Sequence, residues 1–597
     1  MATEISVNKK SVKELLYGAK EKPFIIPEYQ RPYAWSDEQI ETLFDDLWEF
    51  TNNITEDENA QTTYFLGSIV TYDNKENEQE IIDGQQRITS LLLLLRAIYA
   101  KLVAIPERTK EANNFIQQIE PTIWKTDNLT GEVKYSEILL KSKVINDEGN
   151  KILQHILESG EVYEGAKDNY SKNYQKFLEM YEKKSVEDPL KIYEFIYNLL
   201  NKAILLPISA DNQDTALTIF STLNDRGLPL SDADIFKAKI YNHISDTKKR
   251  DEFITSWKKI EEDARDAGES IQQLFYYYMF YLRAIEGDIK TTTPGLRKYF
   301  SYNKFEKLYK DNLLGDLSKI LNIWVVVNKR ERLEDEKWSE NLEILKTLDI
   351  LKSYPNEFWK YPVIVYYLKN KDNENFANDF LLFLRRFLTF LLVKYLETPT
   401  INAVKSDIMK LDAEIINTDF PNFNMLNIDD EEFKDKIKVP HSNTVRMLLK
   451  IMAYEEKEQT ELLPEKWEIE HIFPQKWHNN YFCDDSITDD EIREKIEHLG
   501  NKIPFEKKLN IEAGNGYFGK KKEFYLKSNI IVSKKIAELA IDDWKLENID
   551  DRDKIIAETI SNVLLRWIND YDLKNKENLP SEEDLRKIEE FRTKGWI

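Results

Sequence analysis

Apolar residues along this chain change their spacing several times, and each change marks a different element. After the aromatic, proline-punctuated stretch Ile25 to Trp35, they fall at Ile40, Leu43, Phe44, Leu47 and Trp48, the spacing of a helix. Ser36 stands as its N-cap with Gln39 in the reciprocal position. Tyr64 to Tyr72 and Gln79 to Ile82 read as strands, and the polar residues 73–77 between them predict a hairpin. The second strand stops at Asp83-Gly84-Gln85-Gln86-Arg87, and Ile88 to Leu102 then predicts a buried helix. Residues 104–185 are charged and read as mostly helical. A strand returns at Ala203 to Ser209, Asp214 to Leu223 reads as a helix closed by Asn224-Asp225-Arg226-Gly227, and Ser231 with Asp234 opens the next helix.

From about 246 to 435 the pattern is helical and aromatic. Phe275 to Tyr281 would cover every face of a helix, which predicts a packed core rather than a base-stacking surface. Further on, the run Trp467 to His471 ends before Pro474, a turn at Gly500 returns the chain through Lys502 to Phe505, and a helical stretch carries Asn510. That order is strand, strand, helix. The expected class is multidomain α+β, predominantly helical, in three units: 1–245, 246–435 and 436–597.

The 597 residues carry a net charge of −23, an unusual balance for a protein that grips nucleic acid. A local exception lies between His498 and Lys535, where nine Lys stand against three Glu, so Lys520, Lys521 and Lys522 are candidate phosphate contacts. The single cysteine, Cys483, excludes an internal disulfide. The first residues lack the basic and apolar regions of a secretory signal, and the apolar stretch Phe380 to Leu396 is broken by Arg385-Arg386. A cytoplasmic protein without a membrane span is expected.

Two segments carry candidate chemistry. His471 is placed to act as a general base on water, Glu470 and Asn510 offer oxygen ligands suited to a hard cation such as Mg²⁺, and the Asn501 side chain could pin the loop that orients the imidazole. On a regular strand Glu470 and His471 would face opposite ways, so both reach one metal only if the strand ends there. The second segment is the turn Asp83 to Arg87. A strand, a glycine and a buried helix put the amides of Gly84, Gln85, Gln86 and Arg87 at a helix N-terminus, an anion site. Arg87 could add a bidentate phosphate ligand, and Asp83 could hold a metal or polarise a water. The competing readings are a plain capped turn at Asp83 and a zinc site built from His471, His478, Cys483 and His498, which lacks the short paired spacings of such sites.

The residues Glu470-His471-Ile472-Phe473-Pro474-Gln475, Gly500-Asn501, Asn510, Lys521 and Phe524-Tyr525 resemble the HNH (His-Me finger) nuclease domain of GmrSD-type, modification-dependent type IV restriction enzymes. The segments Ile26 to Trp35, Asp83 to Arg87 and Phe220 to Asp234 resemble the N-terminal ParB/sulfiredoxin-like nucleotidase domain of the same enzymes, in the same order. The resemblance implies a ββα-metal finger embedded in helices and cleavage of modified double-stranded DNA in anti-phage defence with Mg²⁺ or Mn²⁺. It also implies hydrolysis of a nucleoside triphosphate, GTP, ATP or another, around Asp83 to Arg87, with Gln30, Arg31 and Asn224 in support. The alternatives are a nucleotide-gated DNA-binding or regulatory protein with a structural, non-cleaving finger, and a nucleotidase that works as half of a larger complex. Self-association is left open.

Overall fold

The computed structural model describes residues 5–577 except 31, 54–62, 75, 128, 145–146, 214, 218, 220–230, 401, 424–427, 429–430 and 478–486. The chain divides into two compact units, Met1–Thr255 and Ser256–Ile597, so the aromatic helices and the His471 segment share the second.

The first unit is built on a seven-stranded mixed sheet. Its strands are β1 (Ile5–Val7), β2 (Lys10–Ser11), β3 (Phe24–Ile26), β4 (Tyr64–Asp73), β5 (Gln79–Asp83), β8 (Leu140–Ser142) and β9 (Ala203–Ala210). They run in the order β1-β9-β4-β5-β3-β8, with β2 also on β9. β3 lies parallel to both β5 and β8, which is why all three of its residues are buried. The predicted hairpin is the antiparallel pair β4 and β5. Against the sheet packs α3 (Gln85–Val103), buried on every side because Leu91 to Leu95 leave it no polar face. α2 (Asp37–Asn53) begins where expected, with the Ser36 N–H donating to Gln39 Oε1 at 2.9 Å, and α8 (Asp232–His243) begins on a Ser231/Asp234 capping box.

The charged span 104–185 is less helical than its composition suggests. A hairpin of β6 (Trp124–Thr126) and β7 (Val133–Ile138) interrupts it, followed by β8. The strands β1, β2 and β8 have three residues or fewer, and each is fixed by pairing with a distant strand rather than by its own pattern.

In the second unit α9 (Ile271–Ile285) buries Phe275, Tyr277, Tyr278, Met279 and Phe280, and Phe280 stacks on Tyr361 of α10 (Lys360–Asn370) with ring centroids 3.7 Å apart. α11 (Phe376–Glu397) is a core helix: Arg385 pairs with Glu343, and the buried Arg386 lies 4.8 Å over the ring of Phe423. No described helix is long and apolar enough to cross a membrane. Beyond α12 (Ser442–Glu455), β10 (Trp467–His471) and β11 (Lys502–Glu506) form an antiparallel ribbon. α13 (Asp489–Ile496) lies between them in sequence, and α14 (Lys507–Ala513), α15 (Phe518–Tyr525) and α16 (Leu546–Glu577) follow. Pro504 sits within β11, tolerated because each strand of a two-stranded ribbon is an edge. Ile472, Phe473, Ile503, Phe505, Phe518 and Tyr525 share one small core around this ribbon.

Candidate functional site

The strand, strand, helix order at 467–513 sets the geometry of the His471 end. His471 is the last residue of β10, opposite Lys502 in register. Its side chain is 16% exposed, and Nε2 faces Glu497 Oε1 and Gln475 Nε2, each at 3.5 Å. Burial pushes the imidazole down to about 4, opposed by Glu497 and assisted by Lys502 and Lys521, so the ring is neutral at pH 7 and able to accept a proton. The Glu497 carboxylate is held by Lys502 Nζ at 2.7 Å.

Asn501 is fully buried and knits the end of β10 to the turn before β11. Its Oδ1 accepts from the Phe473 N–H at 2.7 Å, and its Nδ2 donates to the carbonyls of Phe473 and Ile496, both at 3.0 Å. Its own carbonyl accepts from the Ile472 N–H at 2.9 Å. The loop that follows His471 is therefore tied to Asn501 at two successive peptides. Asn510 is half-buried on α14.

Glu470 lies elsewhere. It is buried, and Oε1 takes both an ion pair from Lys521 Nζ at 2.7 Å and a hydrogen bond from Tyr525 Oη at 2.8 Å. Adjacent residues on β10 thus take different partners, as strand alternation requires. Lys521 Nζ also donates to the His471 carbonyl at 2.6 Å. Oxygen atoms surround a cation here, and that cation is the lysine ammonium. As placed, Glu470 does not fit a divalent ion: its charge is already met, and a second cation would face an ammonium in a buried pocket.

The lysine cluster needs the same correction. Lys521 is 1% exposed and belongs to the Glu470 pair, so it is not a surface phosphate contact. Lys522 spends its ammonium on the carbonyls of Leu539 and Ile541, and only Lys520 of the three is exposed. The helix that carries them turns consecutive lysines to different sides. Of the zinc candidates, His478 and Cys483 lie outside the described residues, and His498 places Nδ1 2.7 Å from Asp553 Oδ2.

At the other candidate site, Gly84 caps α3 in the left-handed region at φ 92°, and a Cβ there would stand 2.9 Å from Ile69 Cγ1. This turn delivers the first amides of α3 to the end of β5. Arg87 lies near Asp83 but directs Nη1 to the Ser68 carbonyl at 2.9 Å, packed against Gly67. Gln86 is spent internally: Oε1 accepts from the N–H groups of Ala34 and Trp35, and Nε2 donates to the Pro32 carbonyl. Gln30 donates to the Ile82 carbonyl at 3.1 Å. These two amides bind the 30–35 loop to the β5–α3 turn, so their side chains serve the loop; Gln85 is buried on the first turn. Arg31 and Asn224 lie outside the described residues. A cavity of about 650 Å³ lies nearby, lined by Tyr29, Tyr72, Glu80 and Tyr241 among others, but not by 83–87.

Glu497, Arg552 and Asp553 all touch the His471 region or its turn and escaped the sequence reading, because nothing in their local spacing distinguishes them from solvated helix charges. A family model described as the GmrSD restriction endonuclease N-terminal domain matches residues 12–241, and one described as the GmrSD restriction endonucleases C-terminal domain matches residues 427–559. An uncharacterized protein of Methanocaldococcus jannaschii is 24% identical over 283 residues, 45% of this chain and 47% of that protein. The chain thus spans about half the length of the curated relative it matches. With the two family models matched in order and together covering more than half of its length, the chain belongs to the GmrSD restriction endonuclease family.

Proposed function

We propose that this chain is a DNA endonuclease that cleaves modified, foreign double-stranded DNA under the control of a nucleoside triphosphate, with His471 as the general base. The observation that carries the reading is the neutral imidazole at the end of β10, on a loop fixed by the buried Asn501. Neutral His471 can take the proton of an attacking water, a transfer worth about 10²- to 10⁴-fold. Its lowered basicity weakens the driving force, which Glu497 partly restores by favouring the imidazolium. The exposed Lys507, Lys508, Lys520 and Lys527 are among the basic side chains available to a phosphate backbone.

At the first unit, the left-handed Gly84 and the N-terminus of the buried α3 support polyphosphate binding, with Asp83 and Arg87 beside it. Arg87 would have to exchange its Ser68 carbonyl for phosphate. Control of cleavage then requires that nucleotide bind the cutting and resting states with different affinity.

A second reading, a DNA-binding regulator with a non-cleaving finger, is favoured by one observation: the Glu470–Lys521 pair fills the place where a metal ligand was expected. One experiment separates the two. Full-length protein is incubated with supercoiled plasmid and with phage genomic DNA bearing different base modifications, with and without GTP or ATP. Mg²⁺ or Mn²⁺ is supplied in one arm and withheld in another. Nicked or linear product that disappears in His471→Ala supports the nuclease; binding without product on every DNA supports the regulator.

A further inference from the structure

We infer that Arg552 and Asp553, on α16, are positioning residues for His471, acting through the turn that carries Asn501. Gly500 is held at both ends of its backbone. Its N–H donates to Asp553 Oδ1 at 2.6 Å, and its carbonyl accepts from Arg552 Nη1 at 2.7 Å. The same Nη1 reaches the Lys502 carbonyl at 2.9 Å, at the first residue of β11, and Asp553 Oδ2 lies 2.7 Å from His498 Nδ1. Two neighbouring side chains on a helix far downstream therefore grip residues 498, 500 and 502. The contact is close: a Cβ on Gly500 would stand 2.3 Å from the Ile549 carbonyl, so only glycine lets the helix backbone approach.

What this grip controls is the surroundings of His471. Asn501 lies between the two gripped peptides and ties the loop at Phe473, while Lys502 is the register partner of His471 and holds the Glu497 carboxylate that faces its Nε2. Five register pairs tie β10 to β11, and Ile549 of α16 shares their small core. The helix adds the placement of the turn relative to the histidine. Asp553 is buried and Arg552 half-buried, and Arg552, pushed down to about 10 by desolvation, remains charged beside Asp553 at neutral pH. His498, Asp550 and Asp553 bring ligand atoms within 4.8 Å of one another, a grouping that could suggest a metal. Both Asp553 oxygens are already bonded and Asp550 is paired with Lys495, so the cluster serves as a brace.

This inference rests on the nuclease reading. A displacement of about 1 Å at a reacting group costs about 10²-fold in rate. The test uses full-length Arg552→Gln, Arg552→Lys, Asp553→Asn and His471→Ala, single-turnover cleavage of the plasmid and phage DNAs, DNA affinity by anisotropy, and hydrogen exchange over 471–475. The expected result for Arg552→Gln is a rate about 10²-fold lower with DNA affinity within twofold of the parent and faster exchange at 471–475. Arg552→Lys should recover part of the rate, since it keeps the charge but cannot bridge two carbonyls in the same way, and Asp553→Asn should fall between. If Arg552→Gln fails to fold, the Lys and Asn variants carry the same comparison. Parental rates in these variants, with His471→Ala inactive, overturn the positioning role alone. A parent that cuts none of the DNAs overturns the nuclease reading and the positioning role with it.

Discussion

Replacing Asn501 with alanine tests how far the His471 loop depends on one buried amide. The side chain makes three hydrogen bonds, to the Phe473 N–H and to the carbonyls of Phe473 and Ile496, and is wholly shielded from water. At about 1 kcal/mol net for each, their loss costs about 3 kcal/mol, and more if the Phe473 N–H is left buried without an acceptor. A chain of two compact units need not melt in one transition, so the readout should be local. Hydrogen exchange at the Phe473 amide is suited to this. A loss of about 3 kcal/mol accelerates exchange by about 10²-fold where opening is fast and local. Asn501→Asp should be at least as disruptive, because its charge would face two carbonyl oxygens. Cleavage should fall in both variants with little change in DNA affinity. Exchange within twofold of the parent, with cleavage intact, would refute the claim that Asn501 holds the loop.

His471→Ala should abolish cleavage while leaving nucleotide binding unchanged, measured by plasmid nicking and calorimetry on the same preparation. Glu470→Gln and Lys521→Met should each destabilise by about 3–5 kcal/mol, since either leaves a buried charge unpaired, and the double variant should recover part of that loss in urea titrations; additive losses would mean the pair is not coupled. Gly84→Ala should cost about 1–2 kcal/mol from the left-handed backbone alone, with a further loss from the contact with Ile69, and should weaken nucleotide binding in parallel. Asp412 is buried with no hydrogen-bond partner on either carboxylate oxygen among the described residues, and burial holds its pKa well above the usual carboxylate range against the opposing charge of Arg283. The folded chain therefore keeps this proton to higher pH than the unfolded chain does. Its contribution is intact below the unfolded value of about 3.9 and is lost as pH rises. Asp412→Asn should raise the melting temperature at pH 8, with the gain shrinking towards pH 4; a gain independent of pH would count against ionisation as the cause.

By itself the amino-acid sequence determined the elements with strong local signals and the two places where chemistry could sit. The Ser36 and Ser231 helix starts, the β4–β5 hairpin and the β10, β11, α14 order were all legible, because capping pairs, alternation and turn residues act over a few positions. The aromatic run on α9 was legible as core, because a helix apolar on every face has no solvent side. The strands β1, β2, β6, β7 and β8 were not: the shortest have no period to display and exist only by pairing with distant partners. Side-chain roles at the sites were also decided by packing. Lys520, Lys521 and Lys522 are one charge run in the sequence, but the helix sends them to solvent, to Glu470 and to two carbonyls. Glu470 looked like a metal ligand because a carboxylate can bind one; the fold had already assigned it to Lys521, as it assigned the Gln86 side chain to the 32–35 loop. Arg552 and Asp553 gave no signal at all, since a grip on a glycine some fifty residues upstream arises only where α16 packs against the turn.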